Sequence, residues 1–178
     1  MIRTSSELVL AGLVFAGVAA LSVFGKSKPT DTPINEPAFH LTLPGQWSSK
    51  PSSDPTRWVY HTGNGEELTV SILGLKSGMS ADERSKMFKR LAELRKHADS
   101  ATPGLTAVTT TETTFGESGG ILAARYGGTE PAAHRRFMCL MLGSTSTLTV
   151  FYYEAVGLPQ SETDARAKTI MNSVVVPR

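Results

Sequence analysis

A chain of 178 residues with a formal net charge of +2 is long enough for one domain with a sizeable core and a short appendage. So small a charge gives no argument for nucleic acid or a strongly acidic substrate. A single cysteine, Cys139, excludes an intrachain disulfide and any multi-cysteine zinc site.

In chain order, the first feature is apolar. Leu8 to Phe24 reads LVLAGLVFAGVAALSVF, a 17-residue run without a charge. Signal-peptide cores run about 7–15 residues and spanning helices about 17–25, so this run sits at the boundary. We read residues 1–25 as a signal anchor or transmembrane helix, attaching the chain to a membrane through residues 8–24. Arg3 on one flank and Lys26 and Lys28 on the other are nearly balanced, so charge orients the segment only weakly. The expected location is the inner membrane, single-pass, with a periplasmic domain; the alternative is export after cleavage of the segment. Gly12, Ala16 and Ala20 recur every four residues, the spacing that lets two membrane helices approach closely. Residues 26–36 are polar and proline-containing, with no hydrophobic period, and read as a tether.

The globular domain is expected over residues 37–178. FHLTL gives a strand with Phe39, Leu41 and Leu43 inward, closed by Pro44-Gly45. TRWVYHT and EELTVSILGL form two strands joined through Gly63-Asn64-Gly65. Leu68, Val70 and Ile72 alternate with Thr69 and Ser71, but the alternation fails at Gly74. A bulge there, or burial of both faces, would account for it.

The period then changes to that of a helix over residues 80–100, with Ser80 and Glu83 in capping-box spacing. Met87, Leu91 and Leu94 fall on one stripe, with Phe88 beside it. Four strand-like runs follow: LTAVTTTET, ILAARYGG, RRFMCLML and TLTVFYYEA. The third is apolar on both faces, as a central strand would be. The fourth places Tyr152 on one face and Phe151 and Tyr153 on the other, and both faces are expected to pack. A last helix starts after Pro159 with Ser161 as N-cap and Asp164 in the box position; its stripe is Ala167, Ile170, Met171 and Val174. The order predicts an α+β fold, an antiparallel sheet of about six to seven strands covered by two main helices in an α/β/α sandwich, preceded by one N-terminal hydrophobic helix.

In FHLTLPGQW, the element order, the GGILAARY strand after a turn and the closing ARAKTIMNSVVV helix, the chain resembles the PsbP-like superfamily, which includes DcrB-like lipoproteins. The resemblance covers about residues 37–178. It implies the sandwich fold and a role in binding, assembly or chaperoning, and it carries over no catalytic residues. DcrB-like members usually carry a lipid-modified cysteine after the apolar run, and this chain has none.

No motif survives as a catalytic, cofactor or metal site. TTFGESGG spells G-x-S-x-G around Ser118, but a nucleophile elbow needs a buried strand before it and a helix after. Here a threonine-rich run precedes and a strand follows, so a hairpin turn is expected. His40, His61, His97 and His134 offer no pair at helical ligand spacing. Cys139 lies within an apolar strand and reads as packing. The first helix carries Lys86, Lys89, Arg90 and Lys96, which give either a solvated face or a contact for anionic headgroups or an acidic partner. The sequence therefore reads as a membrane-anchored, non-catalytic protein-binding module, an assembly factor or chaperone of an envelope-associated complex. Its alternatives are an immunity-type inhibitor of a secreted toxin and a carrier of an apolar ligand.

Overall fold

The computed structural model describes residues 30–101 and 108–177. Strands β1 (Thr32–Glu36) and β2 (Phe39–Leu43) form a separate hairpin. The main sheet is antiparallel and eight-stranded. It contains β3 (Ser48–Lys50), β4 (Arg57–His61), β5 (Glu66–Gly74), β6 (Thr109–Thr110), β7 (Thr114–Ser118), β8 (Ile121–Glu130), β9 (Arg135–Gly143) and β10 (Thr147–Val156). Their order is β3-β4-β5-β10-β9-β8-β6, with β7 sharing the β8 edge with β6. Helix α1 (Ala81–Ser100) packs on one face, while α2 (Gln160–Ser173) and the β1–β2 hairpin pack on the other. The α+β sandwich expected from the sequence is thus present. The N-terminal apolar helix lies outside the described residues.

Alternation sorts each strand between two cores. On the α2 face, Phe39, Leu41, Leu43, Leu68, Val70, Phe151, Tyr153 and Ile170 close on one another. On the α1 face, Phe88 and Ala92 meet Tyr126, Phe137, Cys139, Met141 and Val150. Both faces of β10 are buried, as its apolar odd and even positions require.

Helix α1 starts as expected: Glu83 N–H donates to Ser80 Oγ at 3.3 Å, and the Ser80 N–H donates to Glu83 Oε2 at 2.9 Å. Its buried line differs from the predicted one. Phe88 and Ala92 point inward, whereas Leu94 is 54% exposed. The reason lies beneath the helix, where the sheet offers tyrosines rather than a purely apolar floor. Asp99 accepts the Tyr126 hydroxyl at 2.6 Å, and the Arg95 guanidinium sits 5.2 Å above the Tyr152 ring. Polar groups therefore continue the inward line, and Leu94 turns away.

Five further expectations are corrected. The β5–β10 register runs unbroken from Glu66 to Gly74, so there is no bulge, and Leu73 is 51% exposed rather than buried. Helix α2 begins at Gln160 with Pro159 as N-cap and no side-chain cap; Asp164 instead receives two bonds from Arg136, at 2.6 and 3.0 Å. Gly116, Glu117 and Ser118 belong to β7 rather than to the turn, which is only Gly119 and Gly120, both at positive φ. Of LTAVTTTET, Thr109 and Thr110 form a strand among the described residues. Residues 32–36, within the stretch read as tether, pair with β2 because Ile34 alternates with Pro33 and Asn35 and packs on the α2-face core.

Candidate interaction cleft

The basic residues expected along α1 have different surroundings. Lys86 is exposed and pairs with Asp82 at 2.8 Å, one turn away. Lys89 leans over the Phe115 ring on β7, 5.9 Å from its centroid. Lys96 folds against Glu93 at 3.3 Å and Glu112 at 4.0 Å. Arg90 stays on the outer side of the helix. Two of the four, Lys86 and Lys96, are thus paired with carboxylates of their own surroundings. Gly12, Ala16 and Ala20 lie outside the described residues. Among the described residues, no helix is long and apolar enough to cross a membrane.

The other singled-out residues scatter. Ser118 is exposed at the end of β7, paired across the turn with Ile121. His40 is on β2, His61 on β4, His97 in the last turn of α1, and His134 at φ 48° after the short 3-10 turn Pro131–Ala133. Among the described residues no cluster of three or more His, Cys, Asp or Glu is placed to hold a metal ion. Burial pushes the Cys139 thiol up to about 12, which suits a packing residue and not a nucleophile.

Two buried ionic clusters have the residue types of acid–base sites, yet they are internally satisfied. Glu66, 2% exposed, accepts bonds from the Arg166 guanidinium at 2.5 and 2.8 Å and from the Tyr153 hydroxyl at 2.8 Å. Arg166 also reaches the Pro44 carbonyl at 3.1 Å, tying α2 to the loop after β2. On the other face Arg135 donates to Glu130 at 3.0 Å, Glu154 at 2.9 Å and the Tyr152 hydroxyl at 2.8 Å. Each arginine is bonded to its carboxylates, so these groups hold strands and helix together.

A different feature stays open to solvent. Hairpin β1–β2 covers the α2 face only as far as β1, so the sheet beyond it, at β4 and β3, forms a shelf. The resulting cleft is about 560 Å³ and is lined by Ile34, Glu36, Trp47, Trp58 and Tyr60 among others. Both tryptophans of the chain border it. Trp58 and Tyr60 share one face of β4 because they are two residues apart. Trp58 is held edge-on to Phe39, with ring centroids 5.3 Å apart. Trp47 is fixed by its indole N–H to the Pro44 carbonyl at 3.1 Å and by its main-chain N–H to Thr32 Oγ1 at 3.3 Å. The Tyr60 hydroxyl donates to Glu36 at 3.1 Å, and burial together with the Glu36 charge raises its pKa, so it stays neutral. At the far rim Asp54 accepts from the Thr56 hydroxyl at 2.6 Å and its N–H at 2.8 Å, and these bonds hold its carboxyl below the usual range.

The sequence draws attention to Trp47 only as part of FHLTLPGQW, and it does not join Trp47 to Trp58. Their meeting depends on where the hairpin docks, a tertiary fact. The Trp58–Tyr60 alternation and the Ile34–Glu36 alternation are the signals that could have found the cleft.

No protein-family model matches the chain. No curated protein matches it either. Its fold is similar to that of cyanobacterial PsbP from Synechocystis sp. PCC 6803, with TM-score 0.63 and 12% identity, covering 86% of this chain and 96% of that one. LpqN of Mycobacterium tuberculosis, a protein involved in cell envelope biogenesis, aligns with TM-score 0.54 and 15% identity over 83% of this chain and 91% of its own. The Ran-binding protein Mog1p of Saccharomyces cerevisiae aligns at TM-score 0.46 and 13% identity, over 83% and 96% of the two chains. At such identities the likeness is one of architecture, and this architecture is the PsbP-like fold.

Proposed function

We propose that this protein is a non-catalytic protein-binding module, held at a membrane by residues 8–24, whose domain serves as an assembly factor or chaperone of an envelope-associated complex. The observation that carries the reading is the cleft over β4, where both tryptophans and the Tyr60–Glu36 pair border an open shelf. Partly exposed, rigid aromatic side chains are the residue types that anchor protein interfaces. An open shelf favours a polypeptide partner over a small apolar ligand, which calls for a site that encloses most of its surface. The fold likeness to LpqN, itself involved in envelope biogenesis, agrees with an envelope role but rests on architecture alone. Lys86, Lys89, Arg90 and Lys96 on α1 are assigned to contact with anionic headgroups or an acidic partner, and Gly12, Ala16 and Ala20 to contact between membrane helices.

The test is site-specific photo-crosslinking in intact membranes. A crosslinker replacing Arg57, at the cleft, should give a discrete adduct that Trp58→Ala removes, while one replacing Lys168 on the outside of α2 should give none. Equal labelling from both positions would sink the reading. The domain should be cleaved by protease added to spheroplasts; protection of residues 37–178 would contradict a periplasmic location.

A further inference from the structure

The cleft has a wall as well as a floor, and the wall is an unpaired strand edge. In an antiparallel ladder, residue pairs alternate between those that bond to each other and those whose main-chain groups point outward. His40 gives its N–H to Val175 O and accepts the Val175 N–H, both at 2.8 Å. The Thr42 N–H donates to Ser173 Oγ at 2.9 Å. So the outward groups of β2 are spent on the C-terminal end of α2 and the residues after it. Opposite them in register stand Asn35 and Pro33. Their main-chain groups point to the other side, along the outer edge of β1. Among the described residues none of those groups has a partner. Asn35 thus offers one N–H and one C=O to the cleft, and Pro33 a C=O alone.

The side chains repeat the same logic. Pro33 and Asn35 face solvent, while Ile34 and Glu36 face the sheet. A strand laid beside β1 would have alternate side chains directed down onto Trp58, Tyr60 and Trp47. The rim carries Glu36 and Asp54 against Lys50 and Arg57, so it selects for neither sign of charge.

The geometry points to recognition by strand addition: an extended, uncharged segment of a partner protein pairs with the free edge of β1 at Asn35 and sets two apolar side chains, two residues apart, on the aromatic floor. This rests on the reading of the cleft as a protein-binding site and specifies its partner chemistry. Strand β1 has five residues, so the recognised segment is about that long. Main-chain bonds would supply the register and the two inward side chains the selectivity.

The probe is a phage-displayed random heptapeptide library, panned against the full chain in nanodiscs and, in parallel, against Asn35→Pro. That substitution removes the outward N–H while leaving the β1–β2 ladder, because an edge strand tolerates proline where its N–H faces solvent. Wild type should enrich peptides with apolar residues at i and i+2, and Asn35→Pro should not. Synthesised winners should shift the two tryptophan indole signals in NMR spectra. N-methylation of the winners at alternate amides should weaken binding at least tenfold for one parity and leave the other unchanged. Enrichment on both chains with shifted indole signals, or indifference to methylation parity, would overturn strand addition and leave the cleft reading standing. No enrichment on either chain would overturn both. A wild-type chain that is dimeric by light scattering and becomes monomeric as Asn35→Pro would give the edge to a second copy, and this proposal would fail.

Discussion

The two faces of the sheet are covered by different means. On the α2 face the helix is tied to the strands by polar bonds along its length: Asp164 to Arg136, Arg166 to Glu66, and Ser173 to Thr42. On the α1 face the buried ion pairs lie within the sheet itself, between β8, β9 and β10. Helix α1 adds shape, through Phe88 and Ala92, and a polar contact from Asp99 near its end. It packs with β8, β9 and β10, and Leu73 on β5 stays exposed beside it. On the α2 face a lost charge frees the helix from the sheet, whereas on the α1 face a lost charge acts within the sheet and the hold on the helix is tested by shape.

The largest effect separating the two is expected from Arg135→Met. It strands two carboxylates at once, one of them, Glu130, only 2% exposed. Removing one partner of a buried pair costs about 3–5 kcal/mol, and two stranded acids put this variant at the upper end in urea unfolding. Arg166→Met strands Glu66 alone, so the loss should be nearer about 3 kcal/mol. Equal losses from both variants would erase the distinction between a strand-borne and a helix-borne ion pair. Gly143→Ala tests shape on the α1 face. A Cβ there would stand 2.7 Å from Phe88 Cδ2, and overpacking of this kind costs about 1–3 kcal/mol. A urea midpoint unchanged from wild type would show that Phe88 can yield and that α1 is loosely held.

The smallest effect per step is one of pH. Burial raises the Cys139 thiol from its ordinary 9.0 to about 12, so the folded chain keeps a proton that the unfolded chain releases. Its contribution is complete below about pH 9 and is lost as pH rises toward 12, with a slope of at most about 1.4 kcal/mol per pH unit. Tyr126 and Tyr152 on the same face are raised as well, chiefly by burial, and act in the same direction at higher pH. Urea midpoints between pH 8 and 10.5 should therefore fall in wild type and begin to fall later in Cys139→Ala. Superimposable curves would remove Cys139 from the account.

Local chemistry explains which parts of this fold are legible in the sequence. Ser80 and Glu83 close their box because both partners lie within one turn, and Phe39, Leu41 and Leu43 alternate within five residues. The α2 stripe is correct for the same reason. What escaped depends on distant partners. Leu94 looks apolar enough for the core, but a tyrosine floor under α1 favours Asp99 inside, with the Arg95 guanidinium over Tyr152. Asp164 is well placed to cap a helix, yet Arg136 on β9 claims it. Strand β1 is too short and too rich in polar residues to announce itself, and without it there is no cleft. The candidate site was thus legible as residue types and not as a place.

The clasp at the end of α2 also orders events in time. Thr42 and Ser173 lie 131 residues apart, and Val175, which bridges to His40, is made later still. Strands β1 and β2 leave the ribosome long before Ser173 and Val175 and cannot be fastened until those residues follow. A nascent chain therefore carries an unfinished cleft until that point. The surface that would engage a partner becomes available only once Val175 has been made.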